Sequence, residues 1–148
     1  MIALIAAAAL LDPNTVITAE DPAVIERLVD EFAEPKREDD EDGTPHLYVQ
    51  WGAYNYQVLF QNCDEQNANC RSLTLWSYWD FDGTLDQVND LNQSVRFARI
   101  YVDGDGDLII SRDVNTEFGI TEATFLDDIK LYHGAMQTVD EGIYTDEE

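Results

Sequence analysis

The period at which apolar residues recur changes along the chain, and each period predicts a different element. Between positions 22 and 32 the spacing is that of a helix with one buried stripe, and Asp21-Pro22 is typical of a helix N-terminus. From Leu47 to Phe60 apolar and polar positions alternate around Gly52-Ala53, which predicts a hairpin. The charged stretch 36–45 between them is expected to be a solvated loop.

The second half of the chain shows the same change of period. Residues 73–79 predict a third strand with two partly apolar faces. Thr84 and Gln87 form a capping-box pattern before a second helix, residues 100–110 predict two strands around a glycine turn, and a last helix follows Thr121. The order is α-β-β-β-α-β-β-α. Short connections favour antiparallel pairing, so we expect an α+β fold with helices packed on one antiparallel sheet of about five strands.

Three parts of the chain differ in character. Residues 1–18 hold an apolar run and a linker, residues 19–139 form the one predicted domain, and residues 140–148 are an acidic tail. The run from Ile2 to Leu11 is far shorter than the roughly 20 residues of a transmembrane helix, so no membrane span is expected. It is either the remnant of a secretory signal without its basic n-region or a helix that docks on the core. The first alternative predicts an exported, periplasmic protein and the second a cytoplasmic one.

Acidic residues dominate the charge. The chain of 148 residues has 31 Asp and Glu against 8 Lys and Arg, a formal net charge of −23. Nucleic acids and anionic membranes are bound largely through Lys and Arg, so both are excluded as partners. The aromatic content argues for a folded chain. The acids gather in the 38–42 loop, the 103–107 turn and the tail, which leaves the aromatic strands as the candidate functional surface.

Cys63 and Cys70 lie in a polar stretch between two predicted strands. A loop this short can be bridged, and the disulfide would stabilise the fold by roughly 2–3 kcal/mol on the loop-entropy model. The alternative is two free thiols in a reducing cytosol. The spacing does not fit a C-x₂₋₄-C zinc site, and only His46 and His133, both interpreted as structural, could add imidazole ligands. We therefore expect neither a metal nor a cofactor.

The segment Asp80-Phe81-Asp82-Gly83-Thr84 resembles the DxDGT signature of haloacid-dehalogenase-like phosphatases. In that family the first aspartate is the nucleophile and the second a general acid and base, within a parallel sheet. Here the residues after Thr84 contain one lysine, Lys130, and predict no series of parallel strands. A turn followed by a helix cap explains the same letters. A phosphatase built on Asp80 and Asp82 is therefore an alternative function, and we expect no enzymatic activity.

A second motif places Asp103, Asp105 and Asp107 in the glycine turn, as in half of a calcium loop. An EF-hand loop that begins at Asp103 needs Gly at its sixth position and Glu at its twelfth, but Leu108 and Val114 occupy them. A hairpin turn is the favoured interpretation. A Ca²⁺-responsive binding protein is a further alternative function.

A longer pattern runs from an AEDP-headed helix, through the two cysteines and Arg71-Ser72-Leu73, to VNDLNQSVRFARIYVD. It resembles the YbjN-domain family of bacterial proteins, often labelled sensory-transduction regulators. The resemblance covers residues 19–139, and the cysteine pair is shared with many exported members. Leu91 stands where the family commonly has tryptophan. The most specific matches are Asn89, Asn92, Arg96, Phe97 and Asp103.

The resemblance implies a fold similar to that of the type III secretion chaperones, and no established enzymatic activity. Proteins of that fold often dimerise and bind polypeptides. We therefore expect a non-enzymatic, chaperone-like module that forms a homodimer and binds a protein or peptide partner.

Two groups of residues are candidates for partner contact. Trp76 and Tyr78 have the opposite strand parity from the leucines beside them, and they form a possible partner surface. Asn89, Asn92 and Arg96 are expected along one side of the second helix. There they either bond neighbouring loops or contact a partner.

Overall fold

The computed structural model describes residues 12–144, so the expectation for the run from Ile2 to Leu11 falls outside the described residues. Within that range the chain forms three helices and eight strands. In chain order these are β1 (Val16–Ile17), α1 (Pro22–Val29), β2 (Glu34–Arg37), β3 (His46–Trp51), β4 (Tyr54–Gln61), β5 (Ser72–Trp79), α2 (Leu85–Ser94), β6 (Arg99–Val102), β7 (Leu108–Asn115), β8 (Ile120–Thr121) and α3 (Glu122–Tyr144).

The main sheet has six strands in the order β2-β3-β4-β5-β7-β6, and every neighbouring pair is antiparallel. The predicted α+β class is confirmed, with one strand more than the five expected. Strand alternation gives the sheet two faces. The helical face carries buried side chains such as Leu75 and Ser77, and the open face carries Trp76 and Tyr78.

The additional strand, β2, arises from the charged segment after α1. Pro35 pairs with Val49 and Lys36 with Tyr48, so the expectation that 36–45 is entirely a loop is wrong. An edge strand pairs on one side only, and its side chains stay largely exposed here, so it shows no apolar alternation. A proline that lacks an N–H is tolerated at such an edge. The pairing is therefore carried by the backbone, which sequence patterning does not reveal.

A second, two-stranded ribbon joins the start of the chain to the start of α3. Val16 pairs with Thr121 and Ile17 with Ile120. Gly119 has φ of 86°, and a Cβ at this position would meet the side chain of Val16 at 2.4 Å. The close approach requires glycine. These strands of two residues are too short to show a period.

The core lies between the helical face and α3. Tyr132 of α3 is fully buried, and its hydroxyl donates to the Ile110 carbonyl at 2.9 Å and lies 2.7 Å from Ser77 Oγ. Burial raises the pKa of Tyr132. α3 also packs against α1 and α2. Its buried residues include Phe125, Ile129, Tyr132, Met136 and Val139.

The last helix continues to Tyr144, into the segment that the charge pattern marks as an acidic tail. Tyr54 donates to Asp140 at 2.9 Å, which ties this end of α3 to the β3–β4 hairpin. Between residues 12 and 144, no helix combines the length and apolar character needed to cross a bilayer.

Candidate binding surface

The open face of the sheet presents aromatic side chains because strand parity directs them away from the helices. On β5, Leu75 and Ser77 are buried on the helical face, whereas Trp76 is half-buried and Tyr78 is 55% exposed on the open face. On β3, Tyr48 is 42% exposed. The rings of Trp76 and Tyr78 lie 5.4 Å apart. The predicted partner residues thus stand together on one surface.

These aromatic residues line a groove of about 900 Å³ on the open face, whose lining residues come from β2, β3, β4 and the end of β5. We call it the aromatic groove. The residues that line it are Glu34, Pro35, Lys36, Tyr48, Val49, Gln50, Asn55, Tyr56, Gln57, Trp76, Ser77, Tyr78, Trp79 and Asp80.

The strand register explains the shape of the aromatic groove. Tyr48 lies opposite Gln57, and Gln57 lies opposite Trp76. Neighbouring strands are about 4.8 Å apart, so the two aromatic residues stand roughly 10 Å from each other with the amide between them. The result is a channel with an aromatic side chain on each side and an amide floor.

His46 contacts both Gln57, which forms the floor of this channel, and Tyr48, which forms one wall. It is 7% exposed, and its Nε2 lies 2.7 Å from Gln57 Oε1 while its Nδ1 lies 2.9 Å from Asp40 Oδ1. Its ring stacks on Tyr48 with centroids 4.4 Å apart. The structural interpretation of His46 therefore includes a specific role in positioning groove residues.

One end of the aromatic groove is acidic. Glu34 shares a row with Gln50 and Asn55 next to the β3–β4 turn, and Asp80 follows the end of β5 that faces the same turn, so the two carboxylates lie on opposite sides of this end of the groove. Trp79 pairs with Leu108, which places Asp80 beside Asp107 of the β6–β7 turn. Partial desolvation raises the pKa of Asp107, and the negative charges of Asp103, Asp80 and Asp105 raise it further. We call this the acidic end of the groove.

The side chain of Asn92 bonds the free backbone edge of β6, the last strand of the sheet. Its amide accepts from the Ile100 N–H at 3.1 Å and donates to the Ile100 carbonyl at 2.8 Å. These are the two bonds that a further strand would make with β6. A third bond joins Asn92 to the Val88 carbonyl within α2. The side chain thus replaces a neighbouring strand.

Asn89 lies one turn before Asn92 on the same side of α2, as the spacing predicts, whereas Arg96 lies beyond the helix. Asn89 is exposed on α2. The expectation that Arg96 continues the same side of the helix is wrong, because α2 ends at Ser94 and Arg96 lies in the following loop. Its guanidinium lies 5.0 Å from the ring centroid of Phe97, which is 48% exposed and has φ of 65°.

Phe97 is held by an arginine that the sequence pattern does not single out. Arg112 donates from Nη1 to the Phe97 carbonyl at 2.7 Å, and its guanidinium lies 5.3 Å from the ring centroid. Its Nη2 forms an ion pair with Asp128 of α3, and both side chains are largely buried. The α2–β6 loop is thereby fixed to the sheet and to α3, which offsets the cost of the left-handed conformation at Phe97.

Asp103 organises the turn between β6 and β7. Its Oδ1 accepts from the N–H groups of Asp105 at 2.9 Å and Asp107 at 3.0 Å. This is an Asx-type turn, in which the side chain bonds the backbone. Among residues 12–144, no three His, Cys, Asp or Glu side chains are placed to hold a metal ion.

The DxDGT-like segment is the connection from β5 to α2. Thr84 is the N-cap of α2 and forms a reciprocal capping box with Gln87, as the sequence predicts. In the described part of the chain the sheets contain antiparallel pairs alone, unlike the parallel sheet in which the phosphatase signature works.

Cys63 and Cys70 form a disulfide across the loop between β4 and β5. The Arg71 N–H donates to the Gln61 carbonyl at 3.1 Å beside it. Cys70 is buried against the core. The disulfide thus lies at the end of the two strands that supply the floor and one wall of the aromatic groove.

A second aromatic cluster lies on the helical side of the β3–β4 hairpin. The Trp51 indole stacks with Phe32 at 5.4 Å and with His133 of α3 at 3.9 Å, and Tyr54 meets the same imidazole edge-on. Burial lowers the pKa of His133. Its Nδ1 is buried without a hydrogen-bond partner among the residues described. We call these four residues the aromatic stack.

Sequence reasoning did not identify several parts of the surface. Tyr48 and Gln57 could have been found from the hairpin register, because both fall on the same parity as Trp76 once the strands are paired. The link between Arg112 and Asp128 joins β7 to α3 and leaves no local signal in the sequence.

Comparison with known proteins gives one family and a fold. A model of the YbjN family, described as "putative bacterial sensory transduction regulator", matches residues 21–144. A crystal structure of an uncharacterized protein from Methanothermobacter thermautotrophicus is similar, with a TM-score of 0.55 at 12% identity. The match covers 81% of this chain and 94% of that one, and it shows the fold alone. No curated protein matches the chain.

Proposed function

The chain belongs to the YbjN family, whose description is regulatory, and from this premise we propose that it is a non-enzymatic module that binds a polypeptide segment on the open face of its sheet. The observation that carries the proposal is the aromatic groove. Its exposed rings offer a large contact area at a low cost in side-chain entropy.

The chemistry of the groove suits a polypeptide. Gln50, Asn55 and Gln57 line it, and their side-chain amides provide both donors and acceptors, as a backbone requires. The walls stand roughly 10 Å apart, which is wide enough for one extended chain. Aromatic-lined grooves of this kind bind extended and proline-rich segments in other domains.

The edges of the sheet also favour binding on the open face. At β2 the proline removes a donor and charged side chains flank it, and at β6 the amide of Asn92 occupies the backbone groups of Ile100. Addition of a partner strand is disfavoured at both edges. The open face is then the accessible part of the sheet.

Peptides selected from a random dodecapeptide library test the proposal. We expect Tyr78→Ala and Trp76→Ala each to weaken binding of the selected peptides by about tenfold or more, as for central aromatic contacts. Phe118→Ala is the matched control, since Phe118 is 92% exposed and does not line the groove. Fluorescence anisotropy measures the affinities. Equal affinity for all variants, or a library without enriched peptides, overturns the proposal.

Export is a further part of the proposal. The disulfide supports it, because such bonds persist in oxidising compartments. Protein taken directly from its host into an alkylating reagent should keep Cys63 and Cys70 unmodified until a reductant is added. Immediate alkylation of both thiols would place the protein in a reducing compartment.

The chaperone-like resemblance extends the proposal to a homodimer. Light scattering after size exclusion should give twice the 16.8 kDa of the chain. A mass of 16.8 kDa at high concentration removes the dimer and leaves the groove proposal standing.

A further inference from the structure

The charge along the aromatic groove is asymmetric. Glu34, Gln50 and Asn55 form one cross-strand row on the open face. Asp80 follows β5 two residues beyond Tyr78 and also lines the groove. Among the described residues, neither Glu34 nor Asp80 forms an ion pair. Two carboxylates thus flank the groove at its acidic end.

The turn between β6 and β7 reinforces this negative charge. It places Asp107 beside Asp80, because Trp79 pairs with Leu108, and Asp103 and Asp105 lie in the same turn. Partial desolvation raises the pKa of Asp107, and the negative charges of Asp103, Asp80 and Asp105 raise it further. Clustered charges of one sign raise the local concentration of oppositely charged ligands and speed their association. The chain as a whole carries a net charge of −23, so distant charges act in the same direction.

The cation that lines the groove does not cancel this potential. Lys36 forms an ion pair with Glu38, and the hydrogen bond to Glu38 raises the pKa of Lys36. The pair is neutral as a unit. The groove therefore has a neutral middle, between Tyr48 and Trp76, and a negative end.

The aromatic side chains beside the acidic end add a second interaction for cations. Tyr78 is more than half exposed, and its ring lies beside that of Trp76. A Lys or Arg side chain over such a ring face gains a cation–π interaction. Carboxylates next to exposed rings thus favour a basic group with an apolar stem.

We propose that the ligand of the aromatic groove is a basic polypeptide segment, with a Lys or Arg at the acidic end over Tyr78 and apolar residues between Trp76 and Tyr48. This inference rests on the proposed function and specifies its partner. An acidic partner is disfavoured by the charge of the groove and by that of the whole chain.

Three synthetic dodecapeptides test the inference. They share one apolar centre and differ in three flanking residues, which are Lys, Gln or Glu. Fluorescence anisotropy with the full chain should show the Lys peptide binding about tenfold more tightly than the Gln peptide, and the Glu peptide binding most weakly. A rise from about 50 to about 500 mM NaCl should remove most of this difference, because salt screens exposed charges.

Matched charge variants locate the effect. Asp80→Asn should lower the affinity for the Lys peptide about threefold, as expected for an exposed charge pair, and leave the Gln peptide unchanged. Asp127→Asn removes the same charge from an exposed position on α3 and should change neither affinity. Trp76→Ala should weaken all three peptides.

The outcomes distinguish failure of the basic ligand from failure of the groove as the binding site. Equal affinity for the three peptides, with weakening by Trp76→Ala, overturns the basic ligand and supports the groove. Affinities that Trp76→Ala does not change overturn the groove as the binding site. Failure of the Lys peptide to bind at millimolar concentration overturns the basic ligand, and the library experiment then decides on the groove.

Discussion

The two aromatic groups beside β4 contain similar residues and lie on opposite faces of the sheet. In the aromatic stack, Trp51 is sandwiched into contacts with Phe32 and His133 under α3. In the aromatic groove, Trp76 and Tyr78 lie on the face that α3 does not cover. The type of residue does not decide between a structural and a binding role. Strand parity sets the face, and the face separates the side chains that pack under α3 from those that we propose to bind a ligand.

The largest effect that tests this comparison is on stability. Trp51→Ala removes both stacking contacts of a partly buried side chain that packs against the core, so we expect a loss of about 2–3 kcal/mol in the free energy of unfolding. Trp76→Ala removes a half-buried side chain from an open groove and should cost less than about 1 kcal/mol. Urea unfolding measures both. Equal losses would mean that the groove is as structural as the stack.

The disulfide joins the ends of β4 and β5, two strands whose side chains contribute to both faces of the sheet. Cys63→Ser with Cys70→Ser should lower the free energy of unfolding by about 2 kcal/mol, since the unfolded chain regains the freedom of the closed loop. Urea unfolding of wild-type protein with and without reductant is the companion measurement. Reduced wild-type protein should match the double variant. An unchanged urea midpoint would show that strand pairing alone fixes this end.

The edge of the sheet gives a smaller effect. Asn92→Ala leaves the N–H and carbonyl of Ile100 without these partners, and we expect a loss of about 1–2 kcal/mol and increased self-association through β6. Asn89→Ala, at an exposed position one turn earlier in the same helix, is the control. Unfolding and light scattering report the two effects. Peptide binding that weakens in Asn92→Ala alone would move the binding site from the face to the edge.

Much of the fold follows from local patterns. The helix caps at Asp21 and Thr84 and the alternation on β5 each depend on a few neighbouring residues, and the structure has them where the pattern predicts them. The strand β2 was missed because an exposed edge strand needs backbone pairing and no apolar period. Local signals thus predict the elements that bury a face and miss those that do not.

The candidate surface was predictable in part for the same reason. Parity alone separates Trp76 and Tyr78 from the core leucines of β5. The proximity of these two residues to Tyr48 depends on the strand register across β4. The position of Phe97 depends on Arg112, which is distant along the chain. Contacts between separated segments have no period to reveal them.

The smallest expected effect is the pH dependence of the aromatic stack. Burial lowers the pKa of His133 below its ordinary value of 6.5, so the folded state resists protonation where the unfolded chain accepts it. As the pH falls from about 6.5 through the lowered pKa, the unfolded state gains protons first and the free energy of unfolding decreases. Above pH 6.5 His133 makes no such contribution.

His133→Phe isolates this contribution, because it keeps a ring against Trp51 and cannot titrate. The charged groups near the stack, Lys130 over Phe32 and Asp140 on Tyr54, are common to both proteins. We expect the stability of wild type relative to the variant to fall between pH 6.5 and the lowered pKa of His133, as measured by urea unfolding at several pH values. A constant difference across that range would mean that the imidazole is as hydrated in the fold as in the unfolded chain. Burial of the imidazole would then no longer distinguish the stack from the groove.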